Sequence, residues 1–91
     1  MVPPEAHGLR AASVTLRPGA VMEWHSTRAR EELLMVVSGH VKVEMRTAPR
    51  SVRTLSAGHC LFVPHHTWHR VINRATREAT YLYVTASAVA R

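Results

Sequence analysis

Turn signals interrupt this chain about every eight to twelve residues, and their spacing constrains the fold more than any other feature of the sequence. The segments between the turns are short and rich in β-branched or other apolar residues. In segment 41–46, VKVEMR, apolar and charged residues alternate, which is typical of a strand with one buried face. Because no segment carries a convincing helical pattern, the sequence predicts an all-β sandwich or barrel.

The turn signals also delimit the expected strands. We predict strands over residues 12–16, 20–24, 41–46, 51–55, 60–63, 68–73 and 80–85. The segments Arg17-Pro18-Gly19 and Ser38-Gly39 are predicted to be hairpin turns. Segment 28–37 has a composition that suits a helix, but it ends in Val-Val-Ser-Gly just before an alternating segment, so propensity is a poor guide there.

A chain of 91 residues suits one small domain with a limited core, and a dimer interface would compensate for that shortage. We expect an N-terminal arm over residues 1–11, a barrel domain over 12–86 and a C-terminal tail over 87–91. The longest apolar run, 33–37, is far shorter than the ~20 residues that span a bilayer, so we expect no membrane span. One cysteine and the absence of a secretory pattern near residue 1 predict a cytoplasmic location.

The charge of the chain bears on its partners. Twelve Lys and Arg against six acidic residues give a formal net charge of +6, which attracts anions. The arginines are scattered along the sequence, without a dense run and without interleaved aromatic residues. We therefore expect a solvated basic surface and do not expect nucleic acid as a partner.

Potential metal ligands punctuate the first half of the chain. Gly19 is followed after five residues by His25, and Glu32 is followed after six by Gly39. This spacing resembles the first motif of the cupin superfamily, in which Gly precedes His-x-His, then Glu, then Gly. Thr27 stands where the second His of that motif is expected.

The second half of the chain resembles the second cupin motif. Gly58, Pro64, His69 and Asn73 keep its spacing, while His66 replaces its internal glycine. The resemblance implies a double-stranded β-helix, or jelly-roll, that is commonly a homodimer and holds a divalent metal inside the barrel. It does not imply one reaction, because cupins include isomerases, dioxygenases, lyases, decarboxylases and binding proteins.

The resemblance assigns metal-ligand roles to His25, Glu32 and His69. Two neutral imidazoles and one carboxylate form the facial set that suits Fe(II) and leaves other coordination positions open. We expect a divalent transition metal, with Fe(II) or Mn(II) preferred and Ni(II), Zn(II) or Cu(II) as alternatives. Strand alternation places Thr27 on the same side as His25, so its hydroxyl either orients a metal-bound water or is the relic of a lost site.

Two functions remain open. The first is a metalloenzyme, such as a dioxygenase, isomerase or lyase, that acts on a small anionic metabolite recruited by Arg28, Arg30 or Arg70. The second is a non-catalytic cupin that serves as a ligand-binding or sensory module with a degenerate metal site. In either case, His65 or His66 from the adjoining turn could replace the missing imidazole.

Several other side chains carry expectations of their own. Trp24 and Trp68 each precede a proposed ligand, so their rings are expected to turn away from the metal toward a contact between sheets or subunits. Cys60 lies in a predicted strand and is expected to be a small buried hydrophobe without chemistry. The methionines within the predicted strands are expected to fill the core (Met22, Met35 and Met45).

Overall fold

Two antiparallel sheets of four strands each form the domain. A computed structural model describes residues 2–88 of the chain. The eight strands are β1 (Arg10–Leu16), β2 (Val21–Ser26), β3 (Arg30–Ser38), β4 (His40–Met45), β5 (Ser51–Ser56), β6 (Cys60–Val63), β7 (Trp68–Ile72) and β8 (Ala79–Ser87). The first sheet has the order β1-β8-β3-β6 and the second β2-β7-β4-β5. The predicted all-β jelly-roll is therefore confirmed.

Most consecutive strands belong to different sheets, and the two predicted hairpins are wrong. The turn at residues 17–19 connects β1 of the first sheet to β2 of the second, and Gly39 connects β3 to β4 in the same way. Among the described strands, only β4 and β5 are both consecutive and paired. A turn signal shows where the chain changes direction, but the strand partner depends on which other strands lie alongside.

The corner between β3 and β4 requires a glycine at position 39. Its φ of +76° lies in the left-handed region that favours glycine. A Cβ atom at this position would stand 2.6 Å from the backbone oxygen of Glu78 and 2.9 Å from Cα of Ala79. The corner is therefore pressed against the start of β8, where only a residue without a side chain fits.

The segment with helix-like composition is the strand β3. Along it, Leu34 and Val36 are buried whereas Leu33 and Met35 are exposed, which is the two-residue period of a strand. β3 pairs with β8 on one side and β6 on the other. This pairing on both edges overrides the local helix propensity.

The core lies between the two sheets and consists mainly of aliphatic side chains. Met45 is buried in it and Met22 packs partly against it, as predicted. Met35 is 38% exposed on the outer side of β3, so the expectation that it fills the core is wrong.

The ends of the domain bear on its expected boundaries. β1 begins at Arg10, inside the expected arm, and the guanidinium of Arg30 binds the Gly8 carbonyl at 2.6 Å. The boundaries at 12 and 86 stay a prediction, and positions 89–91 of the expected tail lie outside the described residues. No helix within residues 2–88 could span a membrane.

Candidate metal centre

Three potential metal ligands converge between the sheets. His25 on β2 and His69 on β7 are register partners in the second sheet, and Glu32 comes from β3 of the first. The two imidazole rings lie 4.1 Å apart between centroids with an interplanar angle of 58°. One ligand atom from each of the three residues lies within 4.8 Å of the others. The structure thus brings together the three residues that the motifs nominated.

A register irregularity on β2 helps to aim His25. The pairing of β2 with β7 shifts between Met22 and His25. A bulge of this kind bends a strand and redirects its side chains, and bulges are common beside functional sites. Because of the shift, His25 faces His69 across the two strands even though the intervening pairing is irregular.

The tautomers of both histidines are set by backbone carbonyls. Nδ1 of His25 lies 2.8 Å from the Glu23 carbonyl oxygen, and Nδ1 of His69 lies 3.1 Å from the Thr67 carbonyl oxygen. A carbonyl oxygen can only accept, so both Nδ1 atoms carry the proton. In the neutral rings, Nε2 then has a free lone pair, which is the form of histidine that binds metals.

The contact between His69 and Glu32 indicates that a cation belongs at this point. His69 is fully buried, and its Nε2 lies 3.3 Å from Oε2 of Glu32 without making a hydrogen bond. In the neutral tautomer this contact sets a nitrogen lone pair against a carboxylate oxygen. Two buried acceptors at this distance need a proton or a metal ion between them. The residues present therefore fit a divalent metal.

Without a metal ion, protonation of His69 would also make the contact between its Nε2 and the Glu32 carboxylate favourable. Burial favours the neutral ring. In the protonated ring, however, Nε2 carries a hydrogen that the Glu32 carboxylate can accept, and this interaction, the hydrogen bond to the Thr67 carbonyl and the Glu32 charge together outweigh burial. The pKa of His69 is therefore raised above its usual 6.5. A proton and a metal ion would compete for the same nitrogen.

A cavity of about 230 Å³ opens beside the three ligands. Its other lining residues are two aliphatic or thioether side chains and two tyrosines (Met22, Val71, Tyr81 and Tyr83). No Lys or Arg of the described chain lines it. Burial, the Glu32 charge and the neighbouring Tyr83 raise the pKa of Tyr81, so its hydroxyl stays protonated at neutral pH.

The two tyrosines are functional candidates that sequence reasoning missed. They are the only tyrosines of the chain, and they stand two residues apart on β8, so both face the barrel interior. Neither hydroxyl makes a hydrogen bond within residues 2–88. No motif marks these two residues in the sequence, and their approach to Glu32 depends on the pairing of β8 with β3.

Thr27 does not line this cavity. It lies after the end of β2, where its hydroxyl donates to the Pro64 carbonyl at 2.6 Å and accepts from the Thr67 amide at 3.0 Å. The single hydroxyl proton is thus committed to the backbone. Thr27 fastens the β2–β3 corner to the turn before β7, and the expected orientation of a metal-bound water by this residue has no support in its contacts.

The three arginines expected to recruit a substrate also lie away from the cavity. Arg28 is exposed in the β2–β3 turn with a φ of +55°. Arg30 donates to Thr85 and to the arm, and Arg70 points to the outer side of the second sheet, where it pairs with Glu44. None of these side chains is brought to the proposed metal centre.

The two histidines that could have replaced the missing imidazole point outward. His65 and His66 are exposed and contact each other edge to face at 5.0 Å between ring centroids. Neither belongs to the cluster of potential metal ligands. His66 has a φ of +51°, a conformation that explains why the motif has glycine at this position.

Cys60 and the tryptophans lie on outer surfaces. Cys60 is exposed, so its expected burial is wrong. Trp24 and Trp68 turn away from the ligands as predicted, but Trp24 lies against arginine side chains and Trp68 is 48% exposed. In the folded chain, therefore, basic and aromatic residues do adjoin, although they are far apart in sequence.

Fold and ligand geometry together define a small β-barrel domain with a cluster of potential metal ligands between its sheets. A family model described as "Cupin domain" matches residues 12–85. The chain therefore belongs to the cupin family. A comparison with curated proteins gives no match.

Solved structures share the fold at low sequence identity. The cupin domain of Schizosaccharomyces pombe Cnp3 aligns with a TM-score of 0.83 and 14% identity, over 94% of this chain and 57% of that one. An oxalate oxidase aligns with a TM-score of 0.81 and 23% identity, over 89% and 43% of the respective chains. The protein TT1209 from Thermus thermophilus has a TM-score of 0.81 and 23% identity, over 91% and 76%.

These similarities establish the fold and nothing more specific. The chain spans about half the length of the first solved chains it matches. An oxidase and a Cnp3 domain share the same barrel, so the barrel does not identify an activity.

Proposed function

We propose that His25, Glu32 and His69 hold one divalent transition metal ion and that the domain acts as a metalloenzyme on a small anionic ligand. The observation that carries this proposal is the buried Nε2 of His69, which lies 3.3 Å from a carboxylate oxygen without a hydrogen bond. Fe(II) and Mn(II) are preferred, since two imidazoles and one carboxylate on one face leave positions open. When bound, such an ion would act as a Lewis acid toward a coordinated ligand.

The size and charge of the cavity support a small ligand. A volume of about 230 Å³ suits a molecule well below drug size. A divalent ion beside one carboxylate leaves a local charge of about +1, which favours a monoanion. With no Lys or Arg among the described residues of the lining, attraction of the anion depends on the metal, and the protonated hydroxyl of Tyr81 is a donor available in the cavity.

The alternative is a non-catalytic cupin that binds a ligand at a weakened site. It is favoured by Thr27, which stands where the motif has a second His and whose hydroxyl serves the backbone. The loss of even an outer partner lowers metal affinity by roughly 10 to 100-fold, so the loss of a first ligand weakens binding at least as much.

Metal substitution with Co(II) tests whether the site holds a metal ion with a position open to an anion, which the enzymatic function requires. We expect Co(II) to bind with a visible spectrum that changes when acetate is added, because acetate would occupy an open position in the cavity. The matched variant Tyr81→Phe keeps the ring and removes the donor, so it should weaken acetate binding without weakening Co(II) binding. Co(II) binding without any response to acetate would contradict the open position that the enzymatic function requires, and no Co(II) binding at all would overturn the metal site.

We further propose that the domain forms a homodimer through the outer face of the first sheet. Large apolar side chains are exposed on three adjacent strands of that face (Leu33, Met35, Val37, Phe62 and Val84). A contiguous apolar patch of this kind is typical of an interface. A dimer related by twofold symmetry would bury the same face of both copies.

A cytoplasmic location is also proposed. Its support is Cys60, an exposed free thiol, which suits a reducing compartment.

A further inference from the structure

The outer face of the second sheet carries an unusual combination of side chains. Three arginines from separate parts of the sequence lie around the ring of Trp24 there, and Trp68 lies on the same side of β7 as Arg70, two residues before it (Trp24, Arg46, Arg50, Trp68 and Arg70). We call these five residues the basic-aromatic face. It lies on the opposite side of the strands from the metal centre, because Trp24 and Trp68 alternate with His25 and His69.

Three guanidinium groups surround one indole ring. The guanidinium carbons of Arg46, Arg70 and Arg50 lie 4.2, 4.9 and 5.4 Å from the centroid of Trp24. Stacking on an aromatic ring fixes a guanidinium through its flat face and leaves its N–H edge free to donate. Arg46 and Arg50, which form no ion pair with a carboxylate of the described residues, are therefore held near the ring with donors available to an anion.

The face has an excess of positive charge. Arg70 pairs with Glu44 at 3.1 Å, and the Nε of Arg70 is buried without a hydrogen-bond partner. Arg46 and Arg50 pair with no carboxylate of the described residues. Lys42 also lies close enough for its charge to act on Glu44, and these four cations together with the Glu44 carboxylate carry a net charge of +3.

Trp68 supplies an exposed aromatic surface next to these cations. It is 48% exposed, and its carbonyl accepts the Arg46 amide hydrogen bond at 2.8 Å, which places the two residues side by side. The exposed indole can stack on an aromatic group of a ligand, and the nearby guanidinium groups can bind an anionic group. A ligand that carries both kinds of group along its length would therefore fit this face. Single-stranded nucleic acid has this chemistry, since its bases stack on aromatic side chains while its phosphates bind Arg and Lys.

We propose that the basic-aromatic face binds single-stranded nucleic acid, with bases stacked on Trp68 and phosphates bound by Arg46 and Arg50. An acidic polypeptide would satisfy the cations but would leave the indole of Trp68 without a matching planar group. The proposal differs from the expectation that nucleic acid is not a partner, because residues 24, 46, 50, 68 and 70 are too far apart in the sequence to be recognised as one surface.

Intrinsic fluorescence tests this directly, because Trp24 and Trp68 are the only tryptophans of the chain. Titration of the full chain with a ten-nucleotide thymidine strand at low salt should quench the emission. With two phosphates neutralised, by Arg46 and Arg50, at about −0.7 each, the logarithm of affinity should fall with the logarithm of salt with a slope of about −1.4. The result should be the same before and after metal loading, so it is independent of the proposed metal function.

Variants separate stacking from charge. Trp68→Ala should weaken binding by roughly 5 to 150-fold, the effect expected for one stacked base, while Trp68→Phe should retain most of the affinity and leaves Trp24 as the sole reporter. Arg46→Ala should reduce the salt slope by about 0.7. The matched control is Arg10→Ala on β1 of the other sheet, which removes the same charge from an exposed site and should leave the slope unchanged.

Three results would overturn the proposal. The first is the absence of quenching by the thymidine strand at low salt. The second is equal affinity for an abasic strand of the same length, which would remove the role of base stacking. The third is equal affinity for polyglutamate of matched charge, which would make the face a docking site for acidic polypeptides.

Discussion

Asn73 gives the most demanding test of how the barrel is held together. It is 0% exposed at the end of β7. Its Nδ2 donates to the carbonyls of Leu16 at 2.9 Å and Arg77 at 2.8 Å, and its Oδ1 accepts from the Ala75 amide at 3.0 Å. The side chain thus connects the end of β1 to the loop before β8.

The substitution Asn73→Ala removes all three hydrogen bonds and leaves the backbone partners buried or partly buried. At about 1 to 1.5 kcal/mol per bond, we expect a loss of roughly 3 to 4.5 kcal/mol in the free energy of unfolding. A domain of this size has a total stability of roughly 5 to 14 kcal/mol, so the loss is a large fraction of it. Urea denaturation followed by far-UV circular dichroism measures the change as a lower midpoint with an unchanged slope.

Two controls accompany this measurement. Asn73→Asp keeps the acceptor for the Ala75 amide but sets oxygen against two carbonyls, so it should destabilise at least as much as Asn73→Ala. Thr47→Ala removes one hydrogen bond of 2.6 Å in an exposed loop and should cost less than about 1 kcal/mol. If Asn73→Ala costs no more than Thr47→Ala, the reasoning about the buried network is wrong.

Three further predictions address the corner, the proton at the site and the dimer. Gly39→Ala should destabilise the domain more than Gly58→Ala. Both substitutions carry the left-handed backbone cost of about 1 to 2 kcal/mol, but only the Cβ at position 39 would meet a carbonyl oxygen, at 2.6 Å. Equal urea midpoints for the two variants would contradict this. In the metal-free protein, the raised pKa of His69 contributes stability that is complete below about pH 6.5 and lost as the pH rises through the raised value. Metal affinity should instead increase with pH, because the proton and the metal compete for the same nitrogen. The melting temperatures of the metal-free and metal-loaded forms should therefore diverge between pH 5 and 9, and parallel curves would contradict this. Val37→Glu should dissociate the dimer in sedimentation experiments. Val52→Glu should not, because Val52 lies on the other sheet, although its exposure of 50% matches the 51% of Val37. Dissociation by both variants or by neither would contradict the proposed interface.

The sequence predicted the elements of the fold better than their connections. Strand β6 was placed at its observed bounds, because Pro64 and the glycine at position 58 mark its ends. The hairpins at Gly19 and Gly39 were wrong, since a turn residue specifies a local backbone conformation but not the sheet in which the next strand pairs. That choice depends on contacts between residues far apart in the chain.

The candidate site followed the same pattern. The convergence of the three ligands could be predicted, because their spacing matches the family motifs and strand alternation points them into the barrel (His25, Glu32 and His69). The role expected for Thr27 lacks support, since its position one residue beyond β2 allows its hydroxyl to reach the backbone of the neighbouring turn. Alternation along a strand does not apply where the strand has ended.

Residues that line the cavity from other strands could not be selected from the sequence. Tyr81 and Tyr83 carry no motif, and their approach to Glu32 depends on the pairing of β8 with β3. The basic-aromatic face is a stronger case, because its residues belong to two strands, β2 and β7, and to the β4–β5 loop, which only the sheet order brings together.

The central claim is that His69 and its two partners hold one metal ion per chain, and elemental analysis tests it most directly. Wild type, His69→Ala and His65→Ala would be loaded anaerobically with Fe(II) or Mn(II), freed of excess metal and analysed. His65 is an exposed histidine outside the cluster and serves as the matched control. We predict close to one ion per chain in wild type and in His65→Ala and almost none in His69→Ala, whereas equal metal content in wild type and His69→Ala would contradict the assignment.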